Sequence, residues 1–216
     1  MFNAYWQIRI LDKNKMEKVS TSNISRSFCG NIISLFRVFM NNWRAGAATI
    51  WMTEINGGGV EFKAGGGTGF GSVGGAALFL GMGLAKSGVY RNYTSAPAVT
   101  DGERTGIVVG NSTEPENGGL IVMPSQITHG TGAGQLLYYG GVVTPATGPC
   151  IDGDDTYFDI KRVLKNESAS AIEIKDIGLN IMCYTSTFFI LRDLVGTITV
   201  DVNEYVEITY RLKVTV

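Results

Sequence analysis

The chain has 216 residues, 44% of them apolar and 17% charged, with a formal net charge of −1. The apolar share excludes a disordered chain, and the balanced charge, with no Lys/Arg run, excludes an electrostatic grip on nucleic acid. Glycine is abundant at 29 residues and charge lies below the roughly 25% usual in soluble domains, which suits a protein that hides surface against neighbouring subunits.

Residues 1–11 lack a basic region followed by a long apolar stretch, so no secretory signal is predicted. Residues 5–11 read as a short strand, followed by a charged turn over 12–18. Ser22 or Asn23 then reads as an N-cap. Ile24, Phe28, Ile32, Leu35, Phe36, Phe39 and Met40 recur at spacings of three and four, which predicts an amphipathic helix ending near Asn41-Asn42. The back of this helix is too polar to span a membrane. Residues 49–55 read as a strand.

The segment 57–88 is dense in glycine and carries no charge between Ala64 and Ala85. It holds a formal GxGxxG at Gly69, Gly71 and Gly74, between a possible strand at 60–63 and a possible helix at 76–84. A dinucleotide site also needs an acidic residue about 20 positions on and a βαβ series. Neither follows, and no cofactor is expected. Glycine also costs too much in a helix for membrane insertion. The segment reads as an arm or loop packed where backbones approach closely.

After a turn-rich connector the chain becomes a procession of short strands: 105–109, 118–123, 135–143 broken by Gly140-Gly141, 157–165, 171–184, 187–194, 197–202 and 205–216. In 171–184 the apolar parity changes between Ile174 and Ile177, which predicts a β-bulge near Asp176–Gly178. The last strand alternates cleanly. Val206, Ile208, Tyr210, Leu212, Val214 and Val216 share one face, and Glu207, Thr209, Arg211, Lys213 and Thr215 share the other. That polar face is expected to meet solvent or another subunit.

Chemistry-bearing residues are sparse. Cys29, Cys150 and Cys183 are odd in number and far apart, which fits neither a disulfide framework nor a zinc site. Asp152-Gly153-Asp154-Asp155 gathers oxygens that a hard cation would accept, but lacks the later ligands of an EF-hand, and reads as a turn. His129, the only histidine, has no nucleophile elbow to serve. No metal site is assigned. The aromatic residues Tyr138 and Tyr139, with Phe70 and Phe79 of the glycine-rich segment, are the candidate contacts for a subunit interface or a glycan.

Several patches, in order, resemble tailed-bacteriophage virion structural proteins of the tail, neck or head-accessory type. They are Ser25-Arg26-Ser27-Phe28; Gly106-Ile107-Val108-Val109-Gly110-Asn111-Ser112 with the acidic turn 113–116; Asn166-Glu167-Ser168-Ala169-Ser170-Ala171-Ile172; Lys175-Asp176-Ile177-Gly178-Leu179; Ile190-Leu191-Arg192-Asp193-Leu194; and Ile208-Thr209-Tyr210-Arg211-Leu212. The glycine-rich segment lies outside the resemblance. What the resemblance implies is a non-enzymatic subunit of a virion, assembled in the bacterial host cytoplasm from copies of itself and other virion proteins. Host-surface glycan binding and capsid decoration are the alternative roles.

The resulting expectation is a mainly β protein: an antiparallel, jelly-roll-like β-sandwich with one N-terminal amphipathic helix and a glycine-rich arm. Its parts are a strand and helix packing on the sheet (1–56), the arm (57–92) and the sandwich domain (93–216), with neither nucleic acid nor stable membrane insertion.

Overall fold

A computed structural model describes residues 2–25, 27–31, 49–53, 56–57, 59–63, 78–80, 105–144, 150–183 and 186–215. The described chain is mainly β, and its strand ladders are antiparallel. The strands are β1 (Phe2–Leu11), β2 (Glu17–Ser25), β3 (Thr49–Thr53), β4 (Gly59–Lys63), β5 (Leu78–Leu80), β6 (Gly106–Gly110), β7 (Leu137–Tyr138), β8 (Val142–Thr144), β9 (Cys150–Asp152), β10 (Asp155–Lys165), β11 (Ile172–Cys183), β12 (Ser186–Val200) and β13 (Tyr205–Thr215). β3 and β4 pair only with each other among the described residues.

The alternating β13 is the centre of the larger sheet, ordered β2-β1-β13-β10, with β7, β8 and β9 sharing the far edge of β10. It pairs along its length with β1, from Phe2↔Val214 to Leu11↔Tyr205, and with β10, from Asp155↔Thr215 to Lys165↔Tyr205. Paired residues face the same side. One face therefore collects Ala4, Trp6, Ile8, Ile10, Ile160, Leu164, Val206, Ile208 and Tyr210, all buried. The expected strand near the N-terminus is thus built into this sheet and shares its core with residues beyond 105.

The smaller sheet is the hairpin β11–β12, with β5 and β6 on the other edge of β11. β12 merges the two strands expected at 187–194 and 197–202. Gly196, at φ +73°, supplies a left-handed residue within the strand where the pairing shifts. The bulge expected in β11 lies instead in its partner. β11 keeps regular pairing with β6 across Asp176–Asn180, while β12 inserts Val195, Gly196 and Thr197 opposite Lys175, and Ile190 opposite the step from Leu179 to Asn180. The parity change in β11 has a different cause. Its second half is buried on both faces, Ile177, Leu179 and Ile181 on one and the polar Asp176 and Asn180 on the other.

Side chains of both sheets form one apolar cluster. Tyr210 of β13 donates its hydroxyl to Asp193 Oδ2 of β12 at 3.0 Å inside it, and burial pushes the Tyr210 pKa well up. The chain crosses between sheets at 166–171 and at 201–204, and Asn166 ties the two crossings together. Its amide nitrogen donates to the Val200 and Ser170 carbonyls, its Oδ1 accepts from Ser168, and its backbone pairs with Asn203 and Glu204.

Three expectations are corrected. The helix does not start at Ser22 or Asn23: residues through Ser25 form edge strand β2, because pairing with β1 uses hydroxyl-bearing and β-branched residues better than a cap would. Phe28 then bridges to Leu191, Gly30 and Asn31 are helical, and 32–40 lie outside the described residues. The possible helix at 76–84 contains strand β5, paired with Ile181–Cys183. The possible strand at 118–123 is a loop, in which Asn117 Oδ1 accepts from Gly119 N and its carbonyl accepts from Leu120 N. Gly69, Gly71 and Gly74 lie outside the described residues, and no described helix is long and apolar enough to cross a membrane.

Candidate interaction surfaces

The first candidate is the outer face of the larger sheet. The register of β13 sets Arg211 beside Asp159 and Tyr5, and Lys213 beside Tyr157. Arg211 donates to both Asp159 oxygens, at 2.8 and 2.9 Å, with its guanidinium 4.0 Å above the Tyr157 ring. Lys213 donates to Asp155 Oδ2 at 2.8 Å and lies 5.3 Å from the Tyr5 ring. Thr215 donates to Asp155 Oδ1 at 2.7 Å. The Lys213 bond, then the Thr215 bond, hold the Asp155 carboxyl below its ordinary 3.8, and the same pairing raises Lys213. Buried Glu207 sits between Arg9 and Lys161. Asp155, Tyr157, Asp159, Lys161, Arg211 and Lys213 line one side of a shallow cleft of about 520 Å3, bounded across the sheet by Gln7 and Ser22. Because each cation is matched by a carboxylate, the face suits a polar, hydrated contact rather than a polyanion.

The second candidate is a buried clasp on the far side of the smaller sheet. Arg192 and Asp176 are both fully buried, with Nε to Oδ2 at 2.9 Å. Arg192 Nη1 donates to the Glu114 carbonyl at 3.0 Å, and Asp176 Oδ1 accepts from Ser112 N at 3.2 Å. Burial, outweighing the Arg192 and Ser112 bonds, holds the Asp176 carboxyl above its ordinary range. Gly110 is required here. A Cβ would lie 2.5 Å from Asp176 Oδ1 and 2.9 Å from the Pro124 carbonyl. The clasp also closes the edge of β12: the Ser27 carbonyl accepts from Arg192 N, Cys29 N donates to the Ile190 carbonyl, and Glu116 Oε1 accepts from Leu194 N. Under this strap Cys29 is buried, and burial pushes its thiol up to about 12.

The residues singled out in the sequence are dispersed. Tyr138 is the inward member of its pair. Fully buried, it donates its hydroxyl to the Ile127 carbonyl at 2.6 Å and carries the Arg162 guanidinium 5.0 Å from its ring. Its ring is therefore not presented to a partner. Tyr139 is half-buried, with its pKa raised by burial, near Lys165 and Tyr205. Phe79 lies on β5, and Phe70 falls outside the described residues. His129 Nδ1 accepts from Tyr138 N at 3.1 Å. Asp152 and Asp155 flank the two-residue β9–β10 hairpin loop, as the turn reading expected, and no group of three or more potential metal ligands occurs among the described residues.

Sequence reasoning missed Arg162 and Arg192. Arg162 is fully buried, donating to the Tyr139, Thr105 and Ile107 carbonyls, and burial lowers its pKa to about 10. The signal was present for Arg162, which shares parity with Ile160 and Leu164. Comparison of the chain with protein-family models, curated proteins and solved structures returns no match.

Proposed function

We propose that this chain is a non-enzymatic structural subunit of a tailed-bacteriophage particle, a tail, neck, fibre-attachment or head-accessory component, built as a jelly-roll-like β-sandwich. It is assembled in the host cytoplasm and acts in the virion through contacts with its own copies and with other virion proteins. One observation carries this reading. Four of the patches that bear the resemblance, separated by up to 160 residues, meet at the Arg192–Asp176 clasp: the strap after Ser25, the 106–116 segment, Lys175–Leu179 and Ile190–Leu194. The matched charges of the outer sheet face add a surface suited to polar subunit contact.

Mass spectrometry of purified particles tests the assignment. Peptides of this chain are expected at a level comparable with other minor structural proteins, and their absence from particles would overturn the reading. A second role, recognition of a host-surface glycan, is favoured by the outward placement of Tyr139. It predicts glycan-array signals that Tyr139→Ala removes, and an array without signals would discard it.

A further inference from the structure

The two sheets treat their edge strands differently. The edge of β12 is closed by the strap at Ser27 and Cys29 and by Glu116. Strand β2 forms the edge of the larger sheet, pairs only with β1 among the described residues, and is exposed along nearly all of its nine residues. An open edge offers a row of backbone donors and acceptors to any strand that can align with it. Native edges are usually guarded by a lysine, a proline or a bulge. β2 contains no proline, and its lysine, still exposed, is engaged within its own chain: Lys18 Nζ is bonded to Glu204 and lies 3.6 Å from Asp201. The irregularity in its pairing falls at the Leu11 end, which leaves Ser20–Ser25 regular. Exposed Val19 and Ile24, 53% and 45% accessible, stand at either end of an uncharged Ser20-Thr21-Ser22-Asn23 centre.

We propose that β2 pairs with β2 of a second copy of this chain, antiparallel about a two-fold axis perpendicular to the sheet, so that the larger sheets of two subunits become continuous. This deepens the assembly reading by naming a copy-to-copy contact. Such an axis keeps each face on its own side, so paired positions must share parity. With the axis at Thr21, Thr21 meets its own copy. Ser20 then meets Ser22 and Val19 meets Asn23 of the second copy, and the regular pairing ends at Lys18, the residue that β2 bulges against β1. No like charges are opposed, and Ser and Thr pairs are favourable across strands. A second copy is therefore a better fit than an unrelated strand, for which nothing in β2 provides a distinguishing pocket or charge.

The test uses the full chain in solution, by analytical ultracentrifugation and amide hydrogen exchange over a range of concentrations. A reversible dimer is expected, with exchange at 20–24 slowing as dimer forms. In Ser20→Glu/Ser22→Glu the first carboxylate faces Arg9 within its own subunit, so folding is retained, while across the axis carboxylates oppose each other. This variant should dimerise roughly tenfold more weakly or worse. Three results would overturn the proposal: a chain that stays monomeric at every concentration, a dimer unaffected by the variant, or protection in the monomer of those β2 amides that point away from β1. The virion reading fails separately. A dimer absent from particles removes that reading and leaves the edge contact, while a monomer present in particles does the reverse.

Discussion

Arg192 and Asp176 illustrate how one pair of charges can hold a chain together without making it stable on balance. Both are withdrawn from water. Removing only Asp176 leaves a buried guanidinium with no counter-charge, and Asp176→Ala is expected to cost about 3–5 kcal/mol. Replacing both, as Asp176→Leu/Arg192→Met, removes the desolvation penalty and should cost clearly less than the sum of the single changes. Urea unfolding of the four members of this cycle measures the coupling. At the surface, Asp155 offers a titration test. Its folded pKa lies below the ordinary 3.8, so its contribution is present above that value and is lost as pH falls through the lowered one. Lys213, raised above 10.5, holds its share below that value and loses it as pH rises through the raised one. Carboxyl NMR should place Asp155 below 3.8, and Lys213→Ala should move it upward, with Thr215 holding the remainder. Alternation around Ile160 and Leu164 already placed Arg162 on the apolar face. Arg192 and Asp193 were hidden because they continue an apolar run, 188–191, in which both strand faces are buried and parity carries no information.

At the scale of elements, strict alternation proved the dependable signal. β13, β10 and β1 each bury one face and leave most of the other half-exposed, so their period is written in the residues. The start of the helix was misread because Ser22 and Asn23 serve equally well in a cap and on an exposed edge, and only the partner strand β1 decides between them. The bulge was displaced for a similar reason. A parity change in one strand records what covers its two faces, whereas the extra residue can sit in the neighbour. The interaction surfaces were legible only in part: the polar face of β13 could be read directly, but the Asp155, Asp159 and Tyr157 that complete it come from β10 through pairing register. Register also predicts a clear failure. One residue inserted after Val206 would rotate Ile208, Tyr210 and Leu212 outward and exceed the roughly 5–15 kcal/mol by which domains are stable. Loss of soluble protein and of near-UV circular dichroism would report it. The same insertion at the exposed Gly153-Asp154 hairpin tip should be tolerated.

For the whole molecule, β1 and β13 lie side by side and antiparallel, with Phe2 opposite Val214. Phe2 and Val214 therefore lie side by side at the same end of this central pair. Tension applied through those ends would peel the ladder open pair by pair, from Phe2↔Val214 inward, rather than shear all its hydrogen bonds together. In single-molecule pulling, attachment at residues 2 and 214 should give a lower rupture force than attachment at residue 2 and at residue 205, which loads the ladder along its length. A subunit tethered by its ends would be mechanically soft. If the assembly role proposed above holds, load would pass through the sheet faces and edges rather than through the Phe2↔Val214 end of this ladder.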